Sequence, residues 1–79
     1  MYMDISTFID NFVGQFDNPP SNQINGNTRF RDLDEWSSLL AVSIIEMIID
    51  EYGVSLTGDD IRNAETVQDI YDAVVAKMW

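Results

Sequence analysis

Leu33-Asp34-Glu35-Trp36-Ser37-Ser38-Leu39-Leu40-Ala41-Val42-Ser43-Ile44-Ile45-Glu46-Met47-Ile48-Ile49-Asp50-Glu51-Tyr52-Gly53-Val54 is the stretch that decides how this chain folds. Acidic and polar residues lead up to the serine pair. Beyond it, apolar residues recur at intervals of three and four, the repeat of a helix. The spacing predicts a helix from about Ser38 to Tyr52, with a serine as its cap and Gly53 as the left-handed residue that closes it. At about 100° per residue, Ala41, Ile45, Ile48 and Tyr52 fall within a narrow arc flanked by Ile44 and Ile49, and this arc is the expected core face. Leu39, Leu40, Ser43, Glu46, Met47 and Asp50 then point away from it, with Val42 at the border. Three large apolar residues on an outer face are more than solubility favours.

Toward the N-terminus, Ile5, Phe8, Ile9, Phe12, Val13 and Phe16 form one helical stripe, with Asp4 as N-cap. Asp17-Asn18-Pro19-Pro20 is expected to end this first helix, because proline cannot continue the hydrogen-bond ladder. From Asp17 to about Trp36 the sequence reads as loop, anchored only by Ile24, Phe30 and Leu33. So long a loop in a small domain is acceptable only if it is functional. Toward the C-terminus, Val54, Leu56 and Ile61 anchor a connecting segment, and Asp59 is the expected cap of a short helix through Asp60, Ile61 and Arg62 to about Asn63. Thr66 with Asp69 makes a capping-box-like pair ahead of a last helix carrying Val67, Ile70, Tyr71, Val74 and Met78. No strand-like alternation and no internal repeat interrupts this reading. The expected fold is all-α: a small bundle of three main helices plus one short helix, with a long first loop, as a single domain over residues 1–79.

Composition narrows the function. A chain of 79 residues buries only about 60% of the surface its unfolded form exposes, so modest stability is expected. Four Lys and Arg against fourteen Asp and Glu give a formal charge of −10. A polyanion of this size avoids nucleic acid and anionic membrane and attracts proteins with basic docking patches. Salt or a divalent cation should therefore raise its melting temperature, and a flat response in a thermal melt would count against that screening effect. Without cysteine there is no disulfide framework or thiolate metal site, and the cytosol is the expected compartment. No basic segment leads into an apolar one at the N-terminus, and Ser43, Glu46 and Asp50 break the most apolar run, so neither a secretory signal nor a membrane span is expected. A monomer is expected.

Histidine is absent as well, which removes the commonest general base near neutral pH. Lys77, the N-terminus and carboxylates are the remaining activators for a serine nucleophile. Self-contained hydrolysis is not expected, no catalytic residues are assigned, and the chain reads as something other than an enzyme. Asp59 with Asp60, or Asp50 with Glu51, can attract a divalent counter-ion, but no segment has the EF-hand pattern and no metal site is assigned.

From spacing alone, a serine before an apolar run is a helix cap. A wider likeness changes that reading. Trp36-Ser37-Ser38-Leu39, preceded by Phe30-Arg31-Asp32-Leu33-Asp34-Glu35, resembles the Trp-Asp-Ser-Leu site of freestanding bacterial acyl carrier proteins. The likeness continues through Asp50-Glu51-Tyr52-Gly53-Val54-Ser55-Leu56, which resembles the close of that family's second helix, and reaches Thr66-Val67-Gln68-Asp69-Ile70 at the start of the last. The family also has a long first loop at this place.

The resemblance implies a 4'-phosphopantetheine arm, delivered from coenzyme A by a phosphopantetheinyl transferase, on Ser38, the serine directly followed by leucine. The arm ends in a thiol that holds acyl groups as thioesters for fatty acid, polyketide or related biosynthesis. It implies partner enzymes that load and process the acyl group through basic patches facing Asp34, Glu35, Leu39, Leu40, Val42, Glu46, Met47 and Asp50. A core between the second and last helices that shelters a short acyl chain is also known in this fold class. One departure stands out: Ser37 occupies the position where the family usually has aspartate. Serine caps a helix as well as aspartate does. The carboxylate that helps the transferase and its metal engage the site is nevertheless missing, so that loading is weakened or Ser37 competes as acceptor. The alternatives are an acidic helical interaction module of the same fold without an arm, and an aminoacyl or peptidyl carrier.

Overall fold

A computed structural model of the chain describes residues 4–17 and 24–78. Helix α1, Ile5–Val13, begins as expected at Asp4, whose side chain accepts a hydrogen bond from the Ser6 N–H. It buries Phe8 and Phe12, with Ile9 and Val13 packed beside them. The helix stops about a turn earlier than the sequence predicts. Gly14, a poor helix former, caps it, and the chain unwinds through short bonds from Gln15 N to Phe12 O (3.2 Å) and Phe16 N to Val13 O (3.0 Å). Phe16 thus leaves the helix but not the core, lying buried with its ring centroid 5.6 Å from that of Phe12. The expected terminators Asn18, Pro19 and Pro20 lie outside the described residues.

The described part of the long connection is tied down at several points. Ile24 and Phe30 are buried, and Phe30–Asp32 forms one 3-10 turn. Arg29 pairs with Thr66 in an isolated bridge, while Val67 N donates to Thr28 O (3.1 Å) and Gln68 N to Gly26 O (2.9 Å). Glycine at 26 permits that approach, since a Cβ there would come within 3.1 Å of Gln68 Oε1.

Helix α2 spans Ser38–Tyr52, the boundaries its sequence predicts. Gly53 closes it at φ 67°, with its N–H on Ile49 O at 2.9 Å. Its orientation is where expectation fails. Leu40, Ile44, Met47 and Ile48 are buried, Ala41, Ile45 and Tyr52 only half-buried, and Ile49 is exposed. The core face is turned by about a quarter of a revolution from the predicted arc. Apolar residues wrap nearly the whole helix, so periodicity alone does not select a face; packing against the rest of the bundle does.

Helix α3, Gly58–Asn63, is capped by Thr57 and not by the expected Asp59. Thr57 Oγ1 accepts from Asp60 N (3.2 Å) and Asp60 Oδ2 accepts from Thr57 N (2.9 Å), a reciprocal pair that Asp59 has no means to make. Helix α4, Val67–Met78, starts with the predicted Thr66 and Asp69 pair. α1 packs on both α2 and α4, and α3 packs on α4. Between them lie Phe8, Phe30, Ile44, Ile48, Val67, Ile70 and Val74, all essentially fully buried, and no polar side chain is buried among the described residues. Among the described residues the architecture is the all-α arrangement expected, three main helices and one short one. Among the described residues, no helix is long and apolar enough to cross a membrane.

Backbone N–H groups of Glu65 and Thr66 donate to Asp69 and hold its carboxyl below the ordinary value of 3.8. A depressed carboxylate stabilises the fold above that value, and the contribution is lost as pH falls through its folded value. Asp69→Asn should therefore be less stable than the parent at pH 7 in urea unfolding, with the gap narrowing below pH 3.8. A gap that is constant with pH would remove the carboxylate from the account.

Candidate functional site

The two serines at the start of α2 divide the roles between them. Ser37 is extended (φ −157°, ψ 170°), and its Oγ accepts the Leu40 N–H at 3.1 Å while its carbonyl accepts from Ala41 N at 3.0 Å. It is the helix cap. Ser38 is the first helical residue, exposed to solvent, and its side chain makes no hydrogen bond among the described residues. Its hydroxyl stands at the positive end of a fifteen-residue helix, where an attached phosphate is electrostatically favoured.

The approach to the pair is held by short bonds, Leu33 N to Phe30 O (3.2 Å) and Trp36 N to Leu33 O (3.0 Å). Trp36 is half-buried, with its ring centroid 4.7 Å from that of Phe30. Glu35, expected to meet a partner, is half-buried and turns back to accept the Asp17 N–H at 2.6 Å. Asp34 is exposed.

Along α2, the solvent side carries Ser38, Leu39, Val42, Glu46, Ile49 and Asp50. Leu39, Val42 and Ile49 are 78%, 51% and 44% exposed, and they are the exposed large hydrophobic residues among those described. Leu40 and Met47, expected on this face, are instead buried, only 7% and 6% exposed. Ile49 takes their place on the outside. The signal for it is the run Ser38, Val42, Ile49, separated by four and seven residues, which stacks all three on one side of a helix. Beside this strip, Gln15, Ser43, Glu46, Met47, Asp50 and Glu51 line an acidic groove of about 310 Å³. No group of three or more metal-ligating side chains is assembled among the described residues.

The arrangement offers a reachable hydroxyl at the start of a helix, and among the described residues no side chain is hydrogen-bonded to it. A family model for the phosphopantetheine attachment site matches residues 12–74. The chain belongs to the phosphopantetheine-binding carrier family. No curated protein and no solved structure matches the chain significantly. The matched segment holds both serines, the end of α1, the whole of α2 and α3, and most of α4. As a member of this family the protein is a carrier domain, a role distinct from catalysis, and 4'-phosphopantetheine is its covalently attached group. Carriers of this family work with a transferase that adds the group and with enzymes that act on what it holds. The exposed hydroxyl at the opening of α2 fits that group: it needs no displacement of a cap or of a core side chain.

Proposed function

We propose that this protein is an acyl carrier protein, with residues 1–79 forming a single domain, whose phosphopantetheine is esterified to Ser38. The supporting observation is the division of labour at the helix start: the Ser37 hydroxyl is engaged as cap, and the Ser38 hydroxyl is exposed and unengaged. When attached, the group supplies a flexible tether ending in a thiol, on which an acyl cargo is held as a thioester. The chain's own part is to keep Ser38 still, to project it past the core, and to remain soluble through its charge of −10. The same charge supports acyl over aminoacyl or peptidyl cargo, in fatty acid, polyketide or related biosynthesis. A cytoplasmic monomer is the corresponding working state. Incubation with coenzyme A and a phosphopantetheinyl transferase, read by intact mass, should add one phosphopantetheine. No gain in mass with any transferase tested would overturn the assignment.

Partner enzymes meet the solvent side of α2, where Leu39, Val42 and Ile49 offer apolar contact and Asp34, Glu46 and Asp50 offer charge. Complementary charge speeds encounter, and a small apolar patch sets the lifetime of the complex. Leu39→Arg should leave stability within about 0.5 kcal/mol, as an exposed substitution does. It should weaken the transferase interaction about tenfold, the effect of losing a central contact. An unchanged KM for the variant as transferase substrate would remove Leu39 from the contact.

A further inference from the structure

Three of the chain's four cations, Arg29, Arg31 and Arg62, line one open cleft of about 480 Å³ together with Asp32, Asn63 and Glu65. Two of them are spent on exposed ion pairs, Arg29 with Glu65 and Arg62 with Asp59. Pairs of that kind contribute little. Arg31 is used differently. One of its terminal nitrogens donates to Ile61 O (2.9 Å) and Arg62 O (2.6 Å), carbonyls in the last turn of α3 that a helix leaves without a full set of partners. The same guanidinium lies 5.0 Å over the Phe30 ring. Phe30 is fully buried and in turn packs 4.7 Å from the Trp36 ring, the residue just ahead of the Ser37 cap. A continuous line of contacts therefore runs from the end of α3 through Arg31, Phe30 and Trp36 to the opening of α2.

We propose that Arg31 is a positioning residue for Ser38. This inference rests on Ser38 being the attachment site. By bridging two α3 carbonyls and covering Phe30, Arg31 fixes the 3-10 turn from which Leu33 and Trp36 hang, and so fixes the residues leading into the serine. The planar guanidinium fork lies over the ring while one of its nitrogens reaches both carbonyls; a lysine ammonium, a compact charge without a planar face, does not reproduce that placement. Without the fork, the lead-in residues are ordered only when a transferase binds, and that ordering cost falls on substrate binding.

The test uses the full chain in a Trp79→Phe background, which leaves Trp36 as the single indole. Arg31→Gln and Arg31→Lys are compared with Arg62→Gln, which removes the same charge as Arg31→Gln from the same cleft. Both Arg31 variants should shift Trp36 emission to the red and raise the transferase KM about fivefold to tenfold, the scale of one ordinary hydrogen bond, with kcat held. Arg62→Gln should do neither. Should Arg31→Gln fail to fold, Arg31→Lys carries the comparison. Emission and KM in the Arg31 variants equal to those of Arg62→Gln would overturn the inference, and so would full restoration of both by lysine. Absence of loading in the parent overturns the Ser38 assignment instead, and the emission comparison then judges the Arg31 contacts alone.

Discussion

Ser38→Ala should take up no phosphopantetheine from coenzyme A, whereas Ser37→Ala should take up one and melt at a lower temperature. The two outcomes differ because the hydroxyls differ in what they already do. The Ser37 oxygen holds the Leu40 N–H at 3.1 Å, and its removal leaves a donor of the first turn without that acceptor. Loss of such a cap costs about 1 kcal/mol, which for a domain of this size lowers the melting temperature by about 4–8 °C. The Ser38 hydroxyl makes no hydrogen bond among the described residues, so its loss should scarcely move the melt while removing the acceptor altogether. Intact mass after transferase treatment, with a thermal melt of each variant, reads both effects. Loading retained in Ser38→Ala and lost in Ser37→Ala would move the attachment to the capping serine and show that the missing aspartate had changed which hydroxyl is used.

Phe8→Ala should come close to unfolding the protein. Its side chain is 0% exposed, and its ring centroid lies 5.8 Å from that of Tyr52 on α2 and 5.6 Å from that of Tyr71 on α4. α1 packs on both of those helices, so one ring serves two interfaces. Removing a buried phenylalanine costs about 3–5 kcal/mol, against a total of about 5–15 kcal/mol for a natural domain. Urea unfolding at pH 7 should show the midpoint collapsing, with a baseline already partly unfolded in buffer. A loss under about 1 kcal/mol would mean that the neighbouring rings close over the gap, against the usual behaviour of a packed core. Phe8 precedes the segment matched by the family model. The helix that carries it is nonetheless what joins α2 to α4.

Local chemistry was legible in the sequence, and long-range packing was not. Both ends of α2 follow from residues at those ends, Ser37 as an oxygen acceptor and Gly53 as the residue tolerant of positive φ. The start of α4 follows in the same way from Thr66 and Asp69. Which side of α2 faces inward depends on what packs against it, and a helix apolar on most sides gives no local cue; hence Leu40, Met47 and Ile49 were placed on the wrong faces. The end of α1 was misplaced because a proline pair is a louder signal than one glycine, although Gly14 comes first in the chain. Thr57 was passed over for Asp59, yet the acid three residues after Thr57 is the mark of a capping box. The Glu35 contact with the Asp17 backbone joins residues eighteen apart and has no local signature.

One consequence follows from where the four cations sit. Arg29 and Arg31 flank or enter the 3-10 turn, Arg62 is on α3 and Lys77 is in the last turn of α4, while α1 and α2 carry none. The charged side chains of α2 are accordingly all negative, Glu46, Asp50 and Glu51. A positively charged enzyme therefore meets no repelling side chain anywhere along α2, and the pull on that helix is strongest over its second half.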